Sequence, residues 1–199
     1  MYAGITLGLL IAFSLLDGAA RIWIQRRRTG DTGVRRPTNP VQWWARGTFA
    51  VGILLSGLIA PLFELTGLSA LAILDRQAVR VLGVAIAALG LLGTFGAQFA
   101  MGASWRTTVD PTEQPALVTT GPFRIVRNPV YTTVIIMTIG FVLTVPNVIA
   151  IVGVGAVITG SQLQVRLVEE PYLSRIHGAA YLNYAADVGR FLPGIGRTD

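Results

Sequence analysis

The strongest constraint on this chain is the length of its apolar runs. They extend from about Ala3 to Trp23, from about Thr48 to Leu68 and from about Val79 to Met101. Each has the roughly 20 residues a helix needs to cross a hydrocarbon core of about 30 Å. A fourth run, Val130 to Leu163, is too long for one crossing, and Pro146-Asn147 divides it into halves of 16 residues each. At 1.5 Å per residue each half rises about 24 Å, slightly short for a bilayer. This predicts a tight helical hairpin turning at Val145-Pro146-Asn147. The fold class expected is therefore all-α, a polytopic membrane protein with five transmembrane helices, the last two forming the hairpin.

Composition agrees. Charged residues make up 13% of the 199 and hydrophobic residues 52%. A soluble domain carries about 25% charged residues, so this chain cannot clothe a globule in polar surface. The chain has no cysteine, which excludes a disulfide scaffold, thiol catalysis and thiolate metal sites. All 16 basic residues are arginine, so Schiff-base chemistry and a phosphate-loop lysine are excluded too. With one histidine and scattered carboxylates, no protein-held metal is expected.

The arginines are distributed unevenly. Arg26, Arg27, Arg28, Arg35, Arg36 and Arg46 lie between the first two runs, against the single acid Asp31. Arg106, Arg124 and Arg127 lie between the third and fourth, and Arg166, Arg175, Arg190 and Arg197 in the tail. The opposite side holds only Arg76 and Arg80, beside Asp75. The positive-inside rule then puts the N-terminus outside and the C-terminus in the cytoplasm. No aromatic-and-basic groove pattern accompanies these charges, so nucleic acid is not an expected partner.

In the first run the charges follow the apolar residues, and Asp17 and Arg21 sit where a signal peptide would be cleaved, which reads as a retained anchor. Asp17 and Arg21 are four apart and are expected to pair along one helix face. Trp43 and Trp44 read as interfacial anchors ahead of the second helix. Gly90, Gly93, Ala97 and Gly153, Ala156, Gly160 read as surfaces of close helix approach.

Two segments on the arginine-rich side hold most of the residues able to do chemistry, Gly102 to Asn128 and Arg166 to the C-terminus. In the first, Asn128-Pro129 reads as a helix start, with Asn as N-cap and Pro at the first helical position. Capping alone accounts for the pair; the free amides beyond it equally suit an anion. In the second, Arg166 and Glu170 share a face if the fifth helix runs on, while Glu169-Glu170-Pro171 also reads as a solvated helix end. His177 has no partner for a metal site, and no set of nucleophile, base and orienting group stands out.

Together the two segments resemble the isoprenylcysteine carboxyl methyltransferases, integral membrane enzymes related to the phospholipid N-methyltransferases. Leu117 to Thr119, Gly121 to Phe123 and Arg127 to Tyr131 match that family's first motif. Glu169, Glu170, Leu173, Gly178, Tyr181, Tyr184 and Pro193 match its second, with one short helical hairpin between the two. The resemblance covers roughly Gly102 to Pro193. Asn128 stands where the family has His, His177 where it has Phe, and Phe123 where Tyr is frequent. Asn can donate a hydrogen bond but carries no charge.

The resemblance implies an enzyme that transfers a methyl group from S-adenosylmethionine, leaving S-adenosylhomocysteine, in a cytoplasmic pocket enclosed by both segments. Residues 1–101 would be three anchoring helices and 102–199 the methyltransferase core of a single structural domain. Backbone at Ala116, Leu117 and Val118 would hold the adenosine end, with Phe123 packed on it. Asn128, Pro129, Val130 and Tyr131 would contact the methionine end, and Glu169 would accept hydrogen bonds from the cofactor. Arg166 would face the acceptor, with Arg106 as a second candidate. A carboxylate acceptor is already ionised at neutral pH and needs an arginine fork to hold it. A thiol or amine would need proton removal, for which Glu170 is the nearby group. The acceptor expected is a lipophilic small molecule or lipid entering from the bilayer, with membrane lipids around it. An arginine-only chain of this length points to a bacterial inner (plasma) membrane. Two other readings stay open: a sterol-type reductase whose NADPH phosphate would use Arg124 and Arg127, and a non-catalytic lipid-binding membrane module.

Overall fold

A computed structural model describes residues 1–198 of the chain. Among the described residues, four helices are long and apolar enough to cross a membrane: α1 (Tyr2–Thr29), α2 (Pro40–Leu65), α3 (Gln77–Ala100) and α5 (Val148–His177). A shorter apolar helix, α4 (Pro129–Thr144), precedes α5, and α6 (Ala179–Asp187) follows it. The polytopic all-helical fold expected from the apolar runs is the one observed, and α4 and α5 form the hairpin.

The hairpin turn lies where Pro146-Asn147 predicts it. The Asn147 side chain accepts from the Ala150 amide at 3.0 Å and donates to the Ala60 carbonyl at 3.0 Å. One residue thus caps α5 and ties the turn to α2. On the same side Arg80 donates to Glu64 at 2.7 Å, to Asp75 at 2.9 Å and to the Thr144 carbonyl at 3.2 Å.

The helix boundaries differ from the apolar limits, and the reasons are local. α1 runs past Trp23 through Arg26, Arg27 and Arg28, because arginine is a good helix former and suits the negative end of the helix dipole. It stops at Gly30, whose φ of +76° is left-handed backbone that glycine adopts without penalty. α2 begins eight residues before Thr48, at Asn39-Pro40, with the Asn39 carboxamide accepting from the Gln42 amide at 2.9 Å. Trp43 and Trp44 therefore lie in the first turns of α2, both exposed. α5 continues through Pro171 to His177 because Val165–Glu169 is a π-helical turn. The wider turn takes in a proline that lacks an amide donor, so Glu169-Glu170-Pro171 is helix interior and not a terminus.

Packing inside the bundle is set by glycine. α3 lies against α4 through Gly83, Gly90 and Gly140, and α2 against α5 through Gly52, Gly153 and Gly160. At Gly52 a Cβ atom would stand 2.5 Å from the Val157 nitrogen and 2.6 Å from the Gly153 carbonyl oxygen. Around these seams Ala87, Leu91, Val134, Met137, Phe141 and Val157 form the core, with Phe13, Phe49 and Ile53 against it. Lipid supplies no hydrogen bonds, so buried hydroxyls turn back on their own helix. Ser56 bonds the Gly52 carbonyl at 2.8 Å, Thr94 that of Gly90 at 2.8 Å and Ser161 that of Val157 at 2.7 Å.

Overpacking a core costs about 1–3 kcal/mol, and more where backbone must move. Gly52→Val is therefore expected to lower the melting temperature in detergent. Gly155→Ala, where the added Cβ meets nothing within 4 Å, leaves it unchanged. Equal melting curves for the two variants would contradict this packing.

Candidate active site

The loop between α3 and α4 is folded down by its neighbours. Trp105 is buried, with the Arg21 guanidinium 4.7 Å from its ring centroid. Gly33 approaches the same ring so closely that a Cβ there would lie 2.7 Å from it. Glu113 fastens the loop from three sides. Its carboxylate accepts from Arg35 Nε at 2.6 Å and Arg106 Nε at 2.7 Å, and its carbonyl accepts from the Tyr172 hydroxyl at 2.6 Å. Arg35 also pairs with Asp31. That side-chain hydrogen bond first, and the Gly33 amide second, hold the Asp31 carboxyl well below the usual carboxylate range. A carboxyl held low in this way lends its full support above about pH 4 and loses it only as the solution becomes strongly acidic.

The second set of contacts joins α4 to the C-terminal segment. The backbone amides of Arg127 and Asn128 donate to the carbonyls of Gly189 (2.8 Å) and Arg190 (3.1 Å). Arg127 is 5% exposed. Its guanidinium donates to the carbonyls of Ala185 and Val188, each at 2.6 Å, to that of Gly196 at 3.1 Å and to Glu170 at 2.8 Å. Arg190 donates to both oxygens of Glu170, at 2.7 and 2.9 Å. The Tyr184 hydroxyl donates to the Phe123 carbonyl at 2.7 Å, bringing α6 onto the turn Gly121–Arg124.

Between these two fastenings is a cavity of about 500 Å³, a size typical of small-molecule sites. Ala116, Leu117, Val118 and Phe123 line it, as do Asn128, Pro129, Val130 and Tyr131 at the start of α4. Glu169, Glu170 and Arg106 line it as well. In its wall the Tyr131 hydroxyl donates to Glu169 Oε1 at 2.6 Å, and Gln164 donates to the same oxygen at 3.3 Å. Phe49 stacks edge-on against Tyr131. Tyr181 and Tyr184 also face the cavity, and burial pushes both phenols up to about 12. At neutral pH they are donors and not bases.

Four expectations for individual side chains change. Arg166 is exposed and does not line the cavity. The π-helical turn Val165–Glu169 separates it from Glu169 around the helix axis more than an α-turn would. Asn128 makes no side-chain cap on α4; its carboxamide donates to the Arg190 carbonyl at 3.1 Å. The amides of the first α4 turn are thus left without that cap. Glu170 has both oxygens taken by Arg127 and Arg190, the geometry of a clamp and not of a free base. Asp17 and Arg21 do not pair. Arg21 donates to the Gly102 carbonyl at 2.9 Å, because the π-helical segment Ser14–Ala20 changes the spacing along α1. The arginine pair that an NADPH phosphate would need is not assembled either: Arg124 is exposed and Arg127 is engaged as described.

The cavity also contains residues that motif reading passes over. Arg46 lines it beside the Tyr131–Glu169 pair and donates to the Thr107 carbonyl at 2.6 Å. It belongs to the basic run that reads as a topology signal, yet stands one turn after the buried Gln42 on α2. That helical spacing was the available sign. Gln164 lies five residues before Glu169, a spacing that a π-turn brings to one side of the helix and an α-turn does not.

Fold and site together define a polytopic membrane protein with a cavity at one end of its bundle that combines an apolar lining with a few polar side chains. The phospholipid methyltransferase family matches residues 78–180, just over half of the chain, and the protein belongs to that family. This is a family of integral membrane methyltransferases related to the isoprenylcysteine carboxyl methyltransferases. No curated protein and no solved structure shows significant similarity to the chain.

Removing one partner of a buried ion pair leaves an uncompensated charge and costs about 3–5 kcal/mol. Glu170→Gln is expected to destabilise the protein on that scale and to expose the segment after Val188 to protease. Arg190→Ala leaves Arg127 paired and should cost less. A Glu170→Gln protein with a wild-type melting curve would refute the clamp.

Proposed function

We propose that the protein transfers a methyl group from S-adenosylmethionine to a lipophilic acceptor that enters from the bilayer. The observation that carries this reading is the convergence of both motif segments on one cavity, joined there by the Tyr131–Glu169 hydrogen bond at 2.6 Å. When bound, the cofactor would supply an electrophilic methyl group on a positively charged sulfur.

The residues present fit that cofactor. The uncapped first turn of α4 presents free amides and the positive end of the helix dipole to an anion such as the amino-acid carboxylate. Arg46 is the cation best placed to share that role. Glu169 is an acceptor for amino or hydroxyl groups, and Tyr131 holds it in place. The chain from Ala116 to Val118 and the Phe123 ring offer backbone polar groups and an aromatic face for the adenosine end. Glu170 and Arg127 act as positioning residues, holding α5 and the C-terminal segment around the cavity. With Glu113 they exclude water, the protein's main contribution to a displacement in which opposite charges neutralise.

An acceptor carboxylate was expected to be held by Arg166. With that residue outside the cavity and Arg106 committed to Glu113, a carboxylate acceptor has lost its clamp. The arginine-rich face carries the cavity, and the opposite face has Arg80 neutralised by Glu64 and Asp75. This supports a cytoplasmic site, with the N-terminus outside, in a bacterial inner membrane.

Titration calorimetry in detergent tests the cofactor. S-adenosylhomocysteine is expected to bind in the micromolar range and NADPH not at all. A hydrogen bond to a charged group contributes about 1.5–3 kcal/mol. Glu169→Gln should therefore weaken S-adenosylhomocysteine about 10- to 100-fold. Binding of NADPH in its place, or of neither ligand, would overturn the proposal.

A further inference from the structure

The end of α1 carries three consecutive arginines, Arg26, Arg27 and Arg28, all exposed. Two of them are seated on aromatic rings. Arg27 lies over Trp23, one turn back on the same helix, with its Cζ 4.9 Å from the ring centroid. Arg28 reaches across to α3 and lies over Phe99, at 4.6 Å. A ring takes the face of a guanidinium and leaves its N–H donors unspent. Both rings are themselves open to the surroundings, Trp23 at 59% and Phe99 at 43% exposure. None of these five residues lines the cavity.

Topology selection acts on positive charge near a helix end, so it accounts for arginines at this position but not for their seating on rings. Neighbouring acids do not account for them either. Among the described residues none of the three is in an ion pair, since Asp31 is taken by Arg35, and Glu113 by Arg35 and Arg106. The three charges stand at the end of a membrane-spanning helix, at the depth of lipid headgroups, as do the exposed Trp43 and Trp44 at the start of α2. A guanidinium fork meets a phosphate through two parallel hydrogen bonds. With the acids of the adjoining loop already paired, the cluster offers nothing to an ammonium group. The matching ligand has a phosphate, a net negative charge and acyl chains that lie along the helices.

We infer that Arg26, Arg27 and Arg28, with Trp23 and Phe99 beneath two of them, form a binding site for the headgroup phosphate of an anionic phospholipid. The site is on the outer surface of the bundle, apart from the cavity. The lipid bridges α1 and α3 where Arg28 already crosses between them, so its binding stabilises the fold. The arginines lie outside the matched residues 78–180 and outside both motifs. The site is independent of the methyltransferase reading and stands or falls without it.

The test is native mass spectrometry of the full-length protein after incubation in detergent with equal amounts of phosphatidylglycerol and phosphatidylcholine of identical acyl chains. One arginine near a membrane surface contributes about a fivefold preference for anionic lipid. The wild type should therefore retain phosphatidylglycerol over phosphatidylcholine by about fivefold or more. Phosphatidylglycerol should also raise the melting temperature where phosphatidylcholine does not. The double variant Arg27→Gln/Arg28→Gln should retain the two lipids equally. Arg175→Gln, which removes an exposed charge from α5, should keep the preference. Phe99→Leu keeps every charge and should weaken the preference severalfold, and it carries the test if the double variant does not fold. Equal retention of the two lipids by the wild type overturns the site, as does an unchanged preference in the double variant or an equal loss in Arg175→Gln. Loss of the preference on adding inorganic phosphate at constant ionic strength assigns the arginines to a free anion and overturns the lipid.

Discussion

The buried guanidinium of Arg127 is the contact on which the rest of the site depends. It lies at the end of the loop that leads into α4, and it reaches three carbonyls of the C-terminal segment and one carboxylate of α5. A planar fork with five donors is the one side chain able to serve so many acceptors in one plane. Glu170 answers its charge and, through Arg190, fastens the strap that passes behind Asn128. Around this junction the start of α4 also meets α5 through Tyr131 and Glu169, and the C-terminal segment through the backbone amides of Arg127 and Asn128. Without the junction the cavity would lose support for the wall that carries Tyr181 and Tyr184.

Close helix packing makes room for that junction. α4 has 16 residues, and rises only about 24 Å. Its partner α3 can lie flush against it because glycines alternate across the seam, with Gly83 and Gly90 on one side and Gly140 on the other. α5 is locked against α2 in the same way. With the seams this tight, the short helix starts inside the arginine-rich end of the bundle. Its N-terminal amides then open into a recess and not onto the surface. The cavity is the space between a short helix and its longer neighbours, roofed by the loop that Glu113 holds down.

How much of this was legible in the sequence depended on whether the signal was local. Run length and the Pro146-Asn147 break gave the helices, and the motif residues from Ala116 to Tyr131 and at Glu169 reached one cavity. Asn-Pro marks the start of both helices, but only one cap forms: Asn39 caps its helix, while the Asn128 carboxamide is drawn away by the Arg190 carbonyl 62 residues later. No spacing rule foresees that competition, because the winning partner arrives only when the C-terminal strap docks. Arg166 lies off the cavity for another reason. Counting in turns of 3.6 residues assumes a regular helix, and the π-turn at Val165–Glu169 moves the residue out of the site. The same kind of turn at Ser14–Ala20 undid the Asp17–Arg21 pair. Proline at 171 was the only local hint that α5 needed such a turn.

The two fastenings around the cavity differ in strength, and the difference follows from their exposure. Arg127 and Glu170 have side-chain exposures of 2% and 15%, whereas Asp31 and Glu113, which hold the loop through Arg35, have 37% and 27%. Ion pairs open to solvent contribute at most about 1 kcal/mol each, while breaking a buried one costs several times more. Salt weakens the first kind and barely reaches the second. The C-terminal strap is therefore the permanent wall, and the loop carrying Ala116 to Val118 is the side that yields at lower cost. The charges that hold this loop neutralise one another at partly exposed positions.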